Sequence, residues 1–327
     1  MWLVIAAILS ADFNRFEKNV TDQGRYKIRM QEKEGFVDAS GRTVIAPQFR
    51  LCTRFSEGLA CCWDGPKAGF IDRKGQIAIP FHFEGCGEFS EGLAPVRRGG
   101  KWGFVSADGL IRIEPAYDNT RGFYNGLAVV KVGGKYGFCD KKGDLVVSPR
   151  FEFASGFSEG LSAVLVAGQC GYVDKHGQMA FPAQFDDCLD FAEGLACVCN
   201  KGRCGYIDRH GRFALPLKYG WSGDFSEGLA AVGASFGGSG FIDRSGKVVI
   251  TPRFRNAWYF RGGLAAVERQ GKNGLKYGFI NQRGTVAIPF IFDMAYPFVG
   301  ELAYVALNGR SAYINRKGIV VWQSPSP

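Results

Sequence analysis

Leu127-Ala128-Val129-Val130-Lys131-Val132, Gly133-Gly134, Tyr136-Gly137-Phe138-Cys139-Asp140, Lys141-Lys142-Gly143 and Leu145-Val146-Val147 follow one another within a single stretch of the chain. Three short apolar segments are punctuated by glycine, which is the pattern of a β-meander and not of a helix. Asp140 and Gly143 suit a type I turn closed by a left-handed glycine, because Asp can bond the backbone two residues on and Gly tolerates positive φ. Pro149 cannot donate to a ladder, so it is expected to stop the third strand, with a fourth, very short strand around Phe151.

The stretch recurs. Gly-aromatic-aliphatic-Asp-x-x-Gly, or a close variant, opens at Gly35, Gly69, Gly103, Gly137, Gly171, Gly205, Gly240 and Gly278, with a degenerate ninth copy at Ala312. The spacings are 34 five times, then 35, 38 and 34. A second anchor, Phe-Ser-Glu-Gly-Leu-Ala or a variant, starts at Phe55, Phe89, Phe123, Phe157, Phe191, Phe225, Phe260 and Phe298 and keeps step with the first. Proline stands two or three residues before Phe or Tyr in each unit, from Pro47 and Pro80 to Pro252 and Pro289. A column three residues past each anchor Leu reads Cys62, Val96, Val130, Val164, Val198, Val232, Val267 and Val305, as a buried strand position should. A unit of this size cannot bury its own apolar face, so neighbours must stack to close it.

These residues resemble the bacterial WG-repeat family, whose Trp-Gly stands here as Lys101-Trp102-Gly103 and, softened, as Lys135-Tyr136-Gly137 and Lys276-Tyr277-Gly278. The resemblance runs from about Tyr26 to Trp322. Glu34, Ala68, Cys170, Cys204, Ser239 and Ala312 replace the family tryptophan elsewhere. The resemblance implies a β-repeat interaction module of poorly defined function, and it brings no catalytic residues.

The fold expected is all-β, about nine three-stranded meander units of roughly 34 residues. An open β-solenoid or superhelix is favoured over a β-propeller-like ring, because the chain does not visibly begin with strands that complete its final unit. The array occupies residues 26–323, residues 324–327 form a tail, and residues 1–25 are an apolar segment with a polar lead-in. Met1–Ala11 lacks a basic first region and has Leu9 where a cleavage site prefers a small residue, so it reads as a signal remnant or a cap. It is too short to span a bilayer.

Of 10 cysteines, Cys52, Cys86 and Cys188 share one column that other units fill with small residues such as Thr120 and Ala154. Cys170 and Cys204 take the Trp column, and Cys61, Cys62 and Cys197 fall in first-strand columns. Equivalent residues of neighbouring units stand roughly 10 Å apart, beyond disulfide reach. Free buried thiols are therefore expected, which favours a cytoplasmic location over export. Cys197, Cys199 and Cys204 match no common zinc spacing and read as structural.

No enzyme site emerges. His176 and His210 occupy a turn column with Lys74, Lys142 and Lys317, and His82 is the one remaining histidine. Glycine-rich stretches such as Gly237-Gly238-Ser239-Gly240 have no following helix to hold phosphate. Glu57, Glu91, Glu159, Glu193 and Glu227 recur in nearly every unit, which assigns them to the Ser-Glu-Gly turn, since catalysis needs a unique constellation. Asp186, Asp187 and Asp190 read as a solvated loop in preference to a weak cation site.

No catalytic residue, cofactor or metal is assigned, and nothing indicates specific nucleic-acid binding. The expected function is a non-enzymatic scaffold for a protein partner, with a carbohydrate-binding or enzymatic β-repeat as the alternative. The alternative needs exposed aromatics outside the core columns, and Phe213, Phe290, Trp221, Trp258 and Tyr259 are among the candidates. Both spacing irregularities fall between first and second strands, at Gly233–Gly240 and Glu268–Lys276, where insertions mark a binding face. The other edge carries Arg73, Lys74, Lys141, Lys142, Lys175, Arg209, Arg244, Arg283, Arg316 and Lys317 at the tips of Asp-x-x-Gly turns, ten of the 40 Lys and Arg. Such a ridge, on a chain of net charge +9, suits an acidic partner.

The period of the apolar pattern predicts a far-ultraviolet circular dichroism spectrum of β type with little helix, and a helical spectrum would overturn the architecture.

Overall fold

Asp140 shows why each unit turns where it does. Its Oδ1 accepts the backbone N–H of Lys142 at 2.9 Å and of Asp144 at 3.0 Å, and Gly143 closes the turn at φ 92°. The same bonds form around Asp72, Asp174, Asp208 and Asp243, and around Asn281 and Asn315, where the amide oxygen serves equally well. A computed structural model of the chain describes residues 24–233, 237–271 and 274–325. The apolar segment expected over residues 1–25 lies outside the described residues except for its last two.

The described residues form nine antiparallel sheets, the first of three strands and the other eight of four. In the fourth sheet, strands Asn119–Tyr124, Leu127–Val132, Lys135–Cys139 and Leu145–Phe151 pair in chain order, its first strand being longer than that of the others. The added strand is short, two residues in most sheets, and it pairs with the strand that follows the Ser-Glu-Gly turn. In the stretch quoted above it is Phe153–Ala154, two residues beyond the position expected, and it opens the next sheet.

That observation corrects the architecture. Coils of a β-solenoid are joined by strand pairing between successive repeats, whereas here no strand pair joins one described sheet to another. Four-stranded meanders that stack through side chains alone are blades of the β-propeller type. The absence of an obvious terminal seam misled because the short first strand belongs to the unit after it and leaves little trace in the residue pattern.

Proline does not end its strand either. Pro149 lies inside Leu145–Phe151, an edge strand, where its missing N–H costs no ladder bond. The partner register runs Phe138↔Val147 and Tyr136↔Phe151, so two extra residues bulge outward around the proline. The bulge presses on Gly137, where a Cβ would stand 2.4 Å from the Val147 carbonyl oxygen and 2.7 Å from the Pro149 nitrogen. The motif glycine and the proline column are therefore one device.

The core lies between sheets. Phe104, Ile113 and Tyr117 of the third sheet pack with Phe123, Ala128 and Val130 of the fourth, and corresponding clusters recur along both parts of the chain. The column from Cys62 to Val305 is at most 4 % exposed. Two compact units divide the described residues, 24–183 and 184–325.

Gly137→Ala is expected to lower stability by about 2–4 kcal/mol through steric conflict with the bulge, whereas Gly271→Ala, whose Cβ would meet nothing nearer than 3.6 Å, should change it by less than about 1 kcal/mol. Denaturant midpoints of the two variants check this, and equal midpoints would refute it.

Candidate functional site

Antiparallel meanders alternate ends, so the first and third turns of each sheet lie at one edge and the second turn at the other. At the first edge, Ser-Glu-Gly forms a two-residue hairpin loop with both central residues at positive φ, 53° at Glu57 and 88° at Gly58. Glutamate is unusual there, and its reach explains it. Glu57 Oε2 accepts the Gly92 N–H of the next sheet at 2.9 Å, Glu91 that of Gly126 at 3.0 Å, Glu193 that of Gly228 at 2.9 Å and Glu227 that of Gly263 at 2.8 Å. The neighbouring serine donates onward too, from Ser56 Oγ to the Phe89 carbonyl at 2.7 Å and from Ser226 Oγ to that of Phe260 at 2.8 Å. The recurrent glutamates thus hold the adjacent turn.

All ten basic turn-tip residues are exposed, each at the corresponding edge of its own sheet. Arg73, Lys74, Lys141, Lys142 and Lys175 belong to the unit 24–183, and Arg209, Arg244, Arg283, Arg316 and Lys317 to the unit 184–325. The tips also touch the turns of the preceding sheet. Lys141 Nζ stands 3.3 Å from Glu91 Oε2, and Arg316 donates to the carbonyl of Gly262 at 2.6 Å, as well as to that of Gly300 in its own sheet at 3.0 Å. Arg316 makes the Gly262 bond in the turn where the glutamate column is broken by Arg261 and Gly262, though as a donor to a carbonyl and not as an acceptor of N–H groups. The ridge is therefore interleaved with carboxylates, which sequence columns taken singly do not show.

The opposite edge carries a second acidic column that sequence reasoning missed. Glu84 accepts the N–H groups of Gly99 at 3.0 Å and Gly100 at 2.9 Å, and these bonds, that of Gly100 foremost, hold its carboxyl below the usual range. Asp118, Glu152, Asp186 and Asp293 cap their own hairpins in the same way. The column reads Gly220 and Arg255 in the two sheets whose hairpins have lengthened. In the longer of these, the strands Leu264–Gly271 and Gly274–Asn281 extend to eight residues each. A pocket of ≈ 460 Å³ lies beside them, lined by Arg269, Gly271, Gly274, Lys276, Phe290, Ile291 and Asn308. The Arg269 guanidinium stacks 4.1 Å above the Phe290 ring.

The cysteines depart from expectation. Cys52–Cys62, Cys61–Cys86 and Cys199–Cys204 are disulfides, Cys170 and Cys188 are disulfide-bonded as well, and only Cys139 and Cys197 are free, both buried. Spacing between equivalent residues was the wrong distance to consider. Cys52 faces Cys62, and Cys199 faces Cys204, as directly paired residues on adjacent strands with Cα atoms 4.0 Å apart. Cys61 points to the other face and reaches the next sheet. With most thiols paired, the inference of a reducing, cytoplasmic compartment loses its basis.

Burial pushes the Cys197 thiol up to about 12, and its Sγ lies 3.0 Å from Ser222 Oγ. The three aspartates nearby do not form one solvated loop. Asp186 caps Lys201, Asp190 is 8 % exposed, and Asp187 sits in the short strand Asp187–Cys188, where burial foremost, with Asp186 adding to it, raises its carboxyl to about 6. Of the candidate sugar-binding aromatics, Tyr259 is buried, Trp221 and Trp258 are half-buried, Phe290 lies under Arg269, and Phe213 is 53 % exposed.

The repeat pattern, the sheets it builds and the columns that join them agree with comparisons to known proteins. No curated protein matches the chain. Among solved structures, the crystal structure of the eukaryotic initiation factor is similar at 13 % identity and a TM-score of 0.64, over 92 % of this chain and 96 % of that one. BamB from Moraxella catarrhalis is similar at 13 % identity and a TM-score of 0.45, over 92 % of this chain and 94 % of that one. Dihydro-heme d1 dehydrogenase NirN gives 13 % and 0.49, over 84 % of this chain and 76 % of that one. At such identity the likeness to the first is one of fold.

Asp187 offers a test by pH. A carboxyl whose folded value lies above its unfolded one favours folding when protonated, so stability is present at low pH and is lost as pH rises from about 4 to about 6. Asp187→Asn should therefore match the parent below pH 4 and exceed it by about 1–2 kcal/mol at pH 7, allowing for the group's partial solvent contact. Denaturant titrations at the two pH values measure the difference, and a variant less stable than the parent at pH 7 would refute it.

The family "WG containing repeat" matches residues 35–61, 69–102, 102–136, 136–170, 171–204, 205–233, 240–272 and 277–310, and the chain belongs to that family.

Proposed function

We propose that the chain is a non-enzymatic interaction scaffold that binds an acidic protein partner along the edge of Asp-x-x-Gly turn tips. The observation that carries this reading is the repetition of exposed Lys and Arg at one position of successive sheets, each tip held by an Asp or Asn whose bonds keep it rigid. Rigid presentation lowers the entropy that binding must offset. The recurrent glutamates, the other candidates for chemistry, are engaged with backbone N–H groups of neighbouring turns. The carbohydrate reading is supported less, because the aromatics it needs are largely taken up in packing against Phe, Arg and backbone.

Exchange of Lys141, Lys142, Arg209 and Arg244 for Ser is the test, with immobilised polyglutamate as the probe. The parent should elute at higher salt than the variant, and the variant's binding should depend less steeply on ionic strength, because clustered exposed cations act through a screened field. Stability should change by less than about 1 kcal/mol, since exposed ion pairs such as Lys141–Glu91 contribute little. Unchanged elution in a folded variant would reduce the ridge to a solubility feature.

A further inference from the structure

Residues two apart in a strand point the same way, so Cys197 and Cys199 share one face of the strand Leu195–Asn200. Cys204 is directly paired with Cys199 and joins that face. The three sulfurs all lie within 4.8 Å of one another, and among the described residues no other three His, Cys, Asp or Glu side chains form such a metal-sized group. Asp187 is paired with Cys199 from the opposite side and so stands in the same row across the sixth sheet, with its carboxylate outside the sulfur group. Leu195, Tyr206, Leu215 and Phe225 wall the cluster with apolar surface.

We propose that these residues are a redox-gated zinc site. In the reduced chain, the sulfurs of Cys197, Cys199 and Cys204 and the carboxylate of Asp187 hold Zn²⁺. In the oxidised chain, the Cys199–Cys204 bond removes two of the four ligands. A tetrahedral zinc with Zn–S near 2.3 Å sets its sulfurs about 3.8 Å apart, so the cluster is already of the right size once the disulfide opens. Thiolates select zinc and other soft ions over magnesium and calcium. The redox step balances with a trialkylphosphine and one water: the Sγ–Sγ bond breaks, both sulfurs take a proton from water, and phosphorus takes its oxygen. Zinc binding then releases the three thiol protons to solvent.

The full-length chain is reduced with the phosphine, loaded with Zn²⁺ and desalted, and its metal is counted; Cd²⁺ is titrated in parallel and followed by thiolate-to-cadmium ultraviolet absorption. Reduction also opens the other disulfides, so the parent is compared with Cys197→Ser, which keeps every disulfide cysteine and lacks only the third sulfur. The parent should retain one zinc per chain more than this variant, the unreduced parent should lack that zinc, and Asp187→Asn should bind it about tenfold or more weakly. Equal zinc in the reduced parent and in Cys197→Ser, or equal zinc in the reduced and unreduced parent, would overturn the proposal. Should Cys197→Ser lose its β spectrum, Cys199→Ser replaces it in the same comparison, with the same two readings.

Discussion

Within each unit, the fold depends on the contact that a sheet makes with its successor through one aromatic pair. The ring after the motif glycine packs on the phenylalanine that opens the next Ser-Glu-Gly turn, at 4.8 Å for Phe36–Phe55, 5.0 Å for Phe70–Phe89, 4.8 Å for Phe138–Phe157 and 4.7 Å for Phe241–Phe260. Such pairs contribute about 0.5–1.5 kcal/mol beyond the area they bury. The rings come from different sheets, so no sheet can form this contact alone. The glutamate that reaches from one turn to the next acts beside it. Holding a glutamate in left-handed conformation costs about 1–2 kcal/mol, and a charge-assisted bond to the neighbouring N–H offsets it.

Much of this was legible in the residues because it is local. The Asp-x-x-Gly turns, the buried valine column and the aromatic anchors each follow from a few adjacent positions, and the structure places them as read. Strand count, the placement of Pro149 and the pairing of the cysteines were not legible, for one physical reason. Each is decided by register against a neighbouring strand, and register is invisible in a repeat viewed column by column. Cys52 and Cys62 occupy different columns, yet they are cross-strand partners. Pro149 lies inside a strand because its neighbour Gly137 has no Cβ to resist the bulge.

Two breaks in the acidic column coincide with longer hairpins, which could have been found in the sequence, whereas Arg50 breaks the column above a hairpin of ordinary length. Where the acidic hairpin cap becomes Gly220 or Arg255, the hairpin above it has lengthened. Where the glutamate turn becomes Arg261-Gly262, Arg316 donates to the carbonyl of Gly262 at 2.6 Å. The sulfurs of Cys197, Cys199 and Cys204 crowd one face of one sheet, where other units place residues as different as Trp63, Arg97, Lys131 and Glu268 in the Cys199 column.

The two edges differ in how firmly their charges are held. Glu91 is bound to the Gly126 N–H at 3.0 Å and is tied to the fold by a backbone bond that a partner could not replace without disturbing the turn. Lys141 meets the same carboxylate at 3.3 Å, but that side chain remains 46 % exposed and the pair is worth little in water. An incoming carboxylate can therefore recruit Lys141 at small cost, while Glu91 stays where the turn needs it. On the opposite edge, Lys101 and Lys276 are paired with Asp118 and Asp293, carboxylates that also cap hairpins. Those pairs bridge two neighbouring sheets; Lys276 is 27 % exposed against 46 % for Lys141, while Lys101 at 48 % is as open as Lys141.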